Sequence, residues 1–128
     1  MLEYRYMSVN NNLKISFCER VNGKAVFIKR PFKKDEIIHK LSGQKLYAPT
    51  KFSIEIDNNM HILDKYGCWI NHSCNPSTKI ENQSVIALRD LEVGEELTFD
   101  YNENESVCVA PFTDIDTGIV IKGNKLKE

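Results

Sequence analysis

Much that would assign this chain to a familiar class is missing from it. No run of about 18 apolar residues occurs, so no membrane-spanning helix is expected. The opening MLEYRYMSVNNN has neither an apolar core nor a cleavage pattern, so no signal peptide is expected, and the chain should work inside the cell, in cytoplasm or nucleus. Cysteine is sparse: Cys18, Cys68, Cys74 and Cys108 are irregularly spaced and read as reduced thiols rather than a disulfide framework. There is no basic excess, since 17 Lys and Arg stand against 18 Asp and Glu for a net charge of −1. Direct nucleic-acid binding is therefore not expected. Repeats, linkers and low-complexity blocks are absent, and no segment carries a 3.6-residue apolar stripe over three turns. Frequent Asn, Lys and Ile fit an AT-rich genome and carry no argument here.

What remains is a chain of 128 residues with 41% apolar and 27% charged side chains, enough for one domain around one core. Its local patterns are those of short strands. LKISFC (13–18) is one, Asn22-Gly23 is a strong turn pair, and Ala25–Ile28 is an apolar run that Pro31 stops. A strand near Ile37–Leu41 ends at Ser42-Gly43. FSIEI (52–56) alternates with period 2, turns at Asp57-Asn58-Asn59, and pairs with MHILD (60–64) as a hairpin. SVIALRDL (84–91), Glu96–Tyr101 after a turn at Gly94, and part of TGIVIKG complete the set. Short helical turns are expected near 48–53 or 65–70. The pattern predicts a mainly β fold of two or three small sheets.

Three polar segments sit at strand ends, where loops carry function: Gly23-Lys24-Ala25, Asn71-His72-Ser73-Cys74 and Phe99-Asp100-Tyr101. Taken singly they have plain readings. Asn71-His72 is a capped or buried turn, Tyr101 a core tyrosine at a strand end, and Trp69 core bulk that anchors the loop. Cys68, His72 and Cys74 have an uncommon zinc spacing and no evident fourth ligand. Cys74 with His72 as its base is a poor dyad, because neighbours two apart on a strand seldom orient toward each other. His39 and His61 read as strand or surface residues, and the FKKDE charges as a solvated turn.

In combination the segments say more. INHSCNPS (70–77), followed by VIALRDLEVGEELTFDY (85–101), resembles the SET domain, the β-rich fold of protein-lysine methyltransferases. NGKAVFIKRPFKKDEII (22–38) looks like that family's opening, and the resemblance covers about residues 13–104, with a tail at 105–128. It implies one SET domain over 1–128, made of several small sheets with a knot-like C-terminal crossing that brings Tyr101 beside Asn71. It also implies S-adenosylmethionine as cofactor and a protein or peptide lysine as substrate. Cofactor contacts would fall to Gly23, Lys24 and Ala25, to the Asn71 side chain, to the His72 backbone, and to Tyr101 and Phe112. Tyr101 would line the methyl-transfer pore as the catalytic residue. Phe99, on the same strand face, would shape the pore, and its lack of a hydroxyl suggests room for more than one methyl. A retained SET fold that binds without turnover is the alternative.

The sequence departs from the family pattern in four places. Ala25 replaces a glycine. Phe52 stands about where a second active-site tyrosine is common, with Tyr47 and Tyr66 as candidate substitutes. The insert between Leu41 and Trp69 is short, which implies an open groove or one completed by a partner. The tail lacks the cysteine cluster that, with the Cys74 position, binds zinc in many relatives. Thr and Asp stand where those cysteines would be, so no metal is expected. For a basic substrate such as a histone tail, Glu55, Asp57, Asp64, Glu103 and Glu105 are the candidate acidic residues of a groove.

Overall fold

A computed structural model describes residues 12–124. Twelve short strands form five small sheets. β1 (Leu13–Cys18) and β2 (Gly23–Ile28) make an antiparallel hairpin in which Cys18 faces Gly23. Its turn is permitted by Asn22 at φ 51°, a left-handed position that asparagine tolerates. β3 (Ile37–Lys40), β8 (Thr78–Glu81) and β9 (Ser84–Ala87) form a sheet ordered β3-β9-β8. β4 (Gly43–Leu46), β5 (Ile54–Asp57) and β6 (Met60–Asp64) form another, ordered β4-β6-β5, which contains the expected hairpin. β7 (Asn71–His72) and β10 (Thr98–Phe99) pair in parallel, and β11 (Phe112–Thr113) with β12 (Val120–Ile121) antiparallel. Helix is confined to a 3-10 turn at Gly67–Trp69, within the expected 65–70, and to α1 (Tyr101–Asn104). No helix among the described residues is long and apolar enough to cross a membrane.

Three expected strands are shorter than their patterns suggest, two because a side chain competes for the backbone and one because another backbone carbonyl does. β5 begins at Ile54, not 52, because the Thr50 hydroxyl accepts the N–H groups of Phe52 and Ser53 and holds 50–53 in a turn. β9 ends at Ala87, and Leu88 donates instead to the Ser77 carbonyl. β10 ends at Phe99, because the Asp100 carboxylate accepts the Asn102 N–H at 2.9 Å and caps α1. Tyr101 therefore begins a helix rather than ending a strand. β4 runs where the sequence suggested a stop. Gly43 has φ 144°, and a Cβ there would lie 1.9 Å from the Leu63 carbonyl oxygen, so glycine alone lets β4 start against β6.

One cluster of buried apolar residues joins these pieces, including Val26, Ile28, Phe32, Ile62, Ile70, Val85 and Leu97. Two polar ties brace it. Asp64, buried at the end of β6, accepts N–H groups from Ser42 (2.9 Å), Tyr66 (2.9 Å) and Gly67 (2.7 Å) and pairs with His39 Nε2 at 2.9 Å. Burial works to raise its pKa, but the bonds from His39, Ser42 and Gly67 outweigh that and hold the carboxyl below its usual range. The same carboxylate fixes the 3-10 turn that leads into Asn71. Ser77, Thr78 and Thr98 form the second tie, in which the Ser77 N–H donates to Thr98 Oγ1 (3.0 Å) and Thr78 Oγ1 to the Thr98 carbonyl (2.7 Å).

Candidate active site

The parallel pair β7/β10 sets Thr98 against Asn71 and Phe99 against His72. Two segments far apart in sequence thus share one wall of a cavity of about 570 Å³. Tyr101 is brought onto Asn71-His72, as expected. Its N–H donates to His72 Nδ1 at 3.0 Å, and its hydroxyl donates to the Ile70 carbonyl at 2.6 Å. Burial pushes the Tyr101 pKa well up, helped by the Glu105 carboxylate, so the phenol keeps its proton.

Gly23, Lys24, Asn71 and Arg20 line the cavity. Asn71 Nδ2 donates to the Lys24 carbonyl (3.1 Å) and to Glu96 Oε2 (3.0 Å), which leaves Oδ1 for another donor. Arg20 pairs with Glu96 at 2.8 Å and with Asp116 at 3.3 Å. Lys24 Nζ lies over the Trp69 ring, 4.6 Å from its centroid. Sequence reasoning missed Arg20 and Glu96, although Glu96 stood inside the quoted GEELTFDY motif without a role. Ala25 stands apart from its neighbours. It is 0% exposed in the core and does not line the cavity, and its φ is not left-handed, so the strand has no need of a glycine there.

Trp69, Phe99, Tyr101, Phe52 and Glu105 line it as well. The Phe99 ring lies 4.8 Å from that of Tyr101, and Phe52 lies 5.6 Å from Trp69. Neither candidate for the missing tyrosine reaches the site. Tyr47 is 78% exposed, Tyr66 packs edge-on against His39, and neither lines the cavity. The expected acidic groove is corrected in part. Glu55, Asp64 and Glu105 are buried in hydrogen-bonded networks, while Asp57 and Glu103 are exposed.

The tail closes the rim. Phe112, on β11, is 40% exposed, and its ring lies 6.0 Å from Tyr101 and 5.9 Å from His72. Beneath it His72 Nε2 approaches Cys74 Sγ (3.3 Å) and Asp114 Oδ1 (3.7 Å), three donor atoms close enough to suggest a metal centre. The hydrogen bonds argue otherwise. His72 Nδ1 accepts the Tyr101 N–H, which assigns the ring proton to Nε2, the atom a metal would need bare. Burial lowers the His72 pKa and keeps the ring neutral. Asp114 Oδ2 accepts both the Thr117 hydroxyl (2.7 Å) and N–H (2.8 Å), which hold its carboxyl below the usual range, and Thr117 Oγ1 reaches Cys74 Sγ at 3.6 Å. The cluster is a hydrogen-bonded latch built from Thr117, Asp114, Cys74 and His72.

A family model for the SET domain matches residues 23–102, and the chain belongs to that family. Among solved structures it is similar to a candidate histone methyltransferase of Plasmodium falciparum. The TM-score is 0.56 at 22% identity, covering 73% of this chain and 95% of the other. At that identity the likeness speaks to fold alone.

Proposed function

We propose that this protein is an S-adenosylmethionine-dependent methyltransferase acting on a lysine of a protein substrate. The observation that supports this best is the convergence, on one cavity, of groups from segments far apart in sequence: Arg20, Lys24 and Asn71 line it together with Phe52, Phe99 and Tyr101. About 570 Å³ with largely apolar walls suits a small cofactor. The cationic groups of Arg20 and Lys24 suit its carboxylate, Asn71 Oδ1 suits its ammonium, and the apolar rim at Phe112 covers it.

Bound there, the cofactor supplies a methyl group on a sulfonium. The protein's part is positioning. Methyl transfer is an in-line displacement that needs a neutral amine held at near-attack distance. The Tyr101 hydroxyl donates its hydrogen bond to the Ile70 carbonyl, so its oxygen lone pairs are left for the amine or the polarised methyl. Because it stays protonated, it orients the amine and does not act as the base. Phe99 and Phe52 present no hydroxyl to anchor a water, which leaves room for an already methylated nitrogen. A binding module without turnover is favoured by Phe52 and the short insert between Leu41 and Trp69, since Ala25 lies in the core.

The test combines calorimetric titration of S-adenosylmethionine with labelled-methyl transfer to histones and to cell lysate. Micromolar binding with transfer to lysine is expected. Binding without transfer on any substrate supports the module, and no binding removes both readings.

A further inference from the structure

This inference rests on the methyltransferase reading. We infer that Glu105 is the carboxylate that receives the substrate's ammonium: it pairs with the lysine Nζ entering beside Tyr101 and takes the proton the amine must lose before methylation. Glu105 follows α1 directly, and its N–H donates to the Tyr101 carbonyl at 2.8 Å, so its backbone is tied to the candidate catalytic residue. The residue is 7% exposed and lines the cavity. Its two oxygens are used differently. Oε2 accepts the Glu55 N–H (3.0 Å) and Asn104 Nδ2 (2.7 Å). Oε1 accepts no hydrogen bond; His61 Nδ1 lies 3.8 Å away, and burial lowers the His61 pKa and favours its neutral ring. No fully buried side-chain oxygen among the described residues lacks a partner, so Oε1 keeps some exposure, and Glu105 lines the cavity.

No lysine or arginine among the described residues pairs with this carboxylate. The titratable groups around it are Glu55 on β5, His61 on β6, Tyr101 on α1 and Cys108 in the tail. A buried carboxylate without a cation is an expensive arrangement, and an incoming ammonium relieves it. Burial pushes the Glu105 pKa up to about 7, with the neighbouring Glu55 charge adding to it against the hydrogen bonds from Glu55 and Asn104. A carboxyl titrating there is matched to proton transfer near neutral pH. Glu55, His61 and Glu105 could be read as a metal trio, but both Glu55 oxygens are taken by Ser106, at 2.7 and 2.9 Å. Glu105 also answers the Phe52 question, because it puts a polar group on the same cavity that Phe52 lines without a hydroxyl.

The step balances. The lysine ammonium gives one proton to Oε1, leaving a neutral amine. The amine's electron pair forms the N–C bond as the C–S bond breaks, and that bond's pair goes to sulfur. Glu105 then releases its proton to solvent through the open cavity.

Two measurements test the assignment. The first is labelled-methyl transfer to a lysine-centred peptide library with randomised flanks, for wild type and Glu105→Gln from pH 6 to 9. The variant should lose at least tenfold in kcat/KM and lack the rise near pH 7, with cofactor Kd within twofold of wild type. An active wild type whose rate and pH limb survive Glu105→Gln overturns the proposal alone. The second needs no turnover. In carboxyl-¹³C-labelled protein, the resonance lost in Glu105→Gln should titrate near 7, and its midpoint should fall when n-butylamine is added. A resonance indifferent to the amine overturns the proposal; a responsive one in a protein that transfers no methyl upholds the amine site and removes the methyltransferase reading. If Glu105→Gln does not fold, Glu105→Asp, with its charge withdrawn by one methylene, should raise the peptide KM and leave cofactor Kd unchanged.

Discussion

Replacing Asp64 by Asn takes one acceptor oxygen from a buried carboxylate that three backbone N–H groups and His39 converge on. The new amide can settle in two ways. With its NH2 in the place of Oδ2, the Tyr66 and Gly67 N–H groups both lose their acceptor. With its NH2 in the place of Oδ1, only the Ser42 N–H does, and His39 can accept from the amide by changing tautomer. The second is cheaper. It leaves one buried donor unpaired, at about 1–3 kcal/mol, and turns the remaining charge-assisted bonds into neutral ones of roughly half the strength. The sum is about 3 kcal/mol. Urea unfolding followed by tryptophan fluorescence reads it through Trp69, on the turn that Asp64 holds. With a slope of about 2 kcal/mol/M, the midpoint should fall by about 1.5 M. The Asp64 carboxyl lies below its unfolded value, so its stabilisation is present above about pH 4 and is lost as pH falls through the folded pKa. Asp64→Asn should flatten that part of the stability profile. A loss under 1 kcal/mol would refute the hub.

Three further outcomes follow from the geometry. Tyr101→Phe removes the 2.6 Å bond to the Ile70 carbonyl, so stability should drop by about 1 kcal/mol; transfer should fall at least tenfold with cofactor Kd unchanged, and undiminished transfer would take Tyr101 out of the mechanism. Asn71→Ala should weaken calorimetric cofactor binding by roughly 1–3 kcal/mol while leaving the fold intact. In Gly123→Ala, a Cβ at φ 103° would meet the Ser106 carbonyl oxygen at 2.4 Å, so hydrogen exchange should speed up across the tail while β3, β8 and β9 stay protected.

The sequence was legible where motifs or period-2 alternation carried the information. The two central motifs located Asn71, His72 and Tyr101, and alternation located the β5–β6 hairpin. Pairing of two-residue strands carries no such signal. Nothing local in Asn71-His72 announces a parallel partner at Thr98-Phe99, and β4 could not be told from a stop because its glycine is required by a neighbour, Leu63. The abundant asparagine proved more informative than base composition suggested: Asn22, Asn59 and Asn82 all hold positive φ at turns. The roles of single atoms were the least legible. Glu105 read as one acidic residue of a groove, and only the third dimension buries it beside the cavity with one oxygen on the Glu55 N–H and the Asn104 side-chain amide.

The tail shows the same limit from the other side. A missing cysteine cluster suggested a segment without its metal anchor. The structure ties it instead with many small bonds: Asn102 Oδ1 accepts the N–H groups of Lys122 and Gly123, the Cys108 N–H donates to the Lys122 carbonyl, and Thr117 joins Asp114 beside Cys74. Each is worth about 1 kcal/mol, and none needs an ion, a particular redox state or a thiolate. Yet the latch meets the site at His72, whose Nε2 faces Asp114 while its Nδ1 holds the Tyr101 N–H. The tail latch and the Tyr101 backbone thus share one ring, while the Tyr101 hydroxyl is held separately by the Ile70 carbonyl.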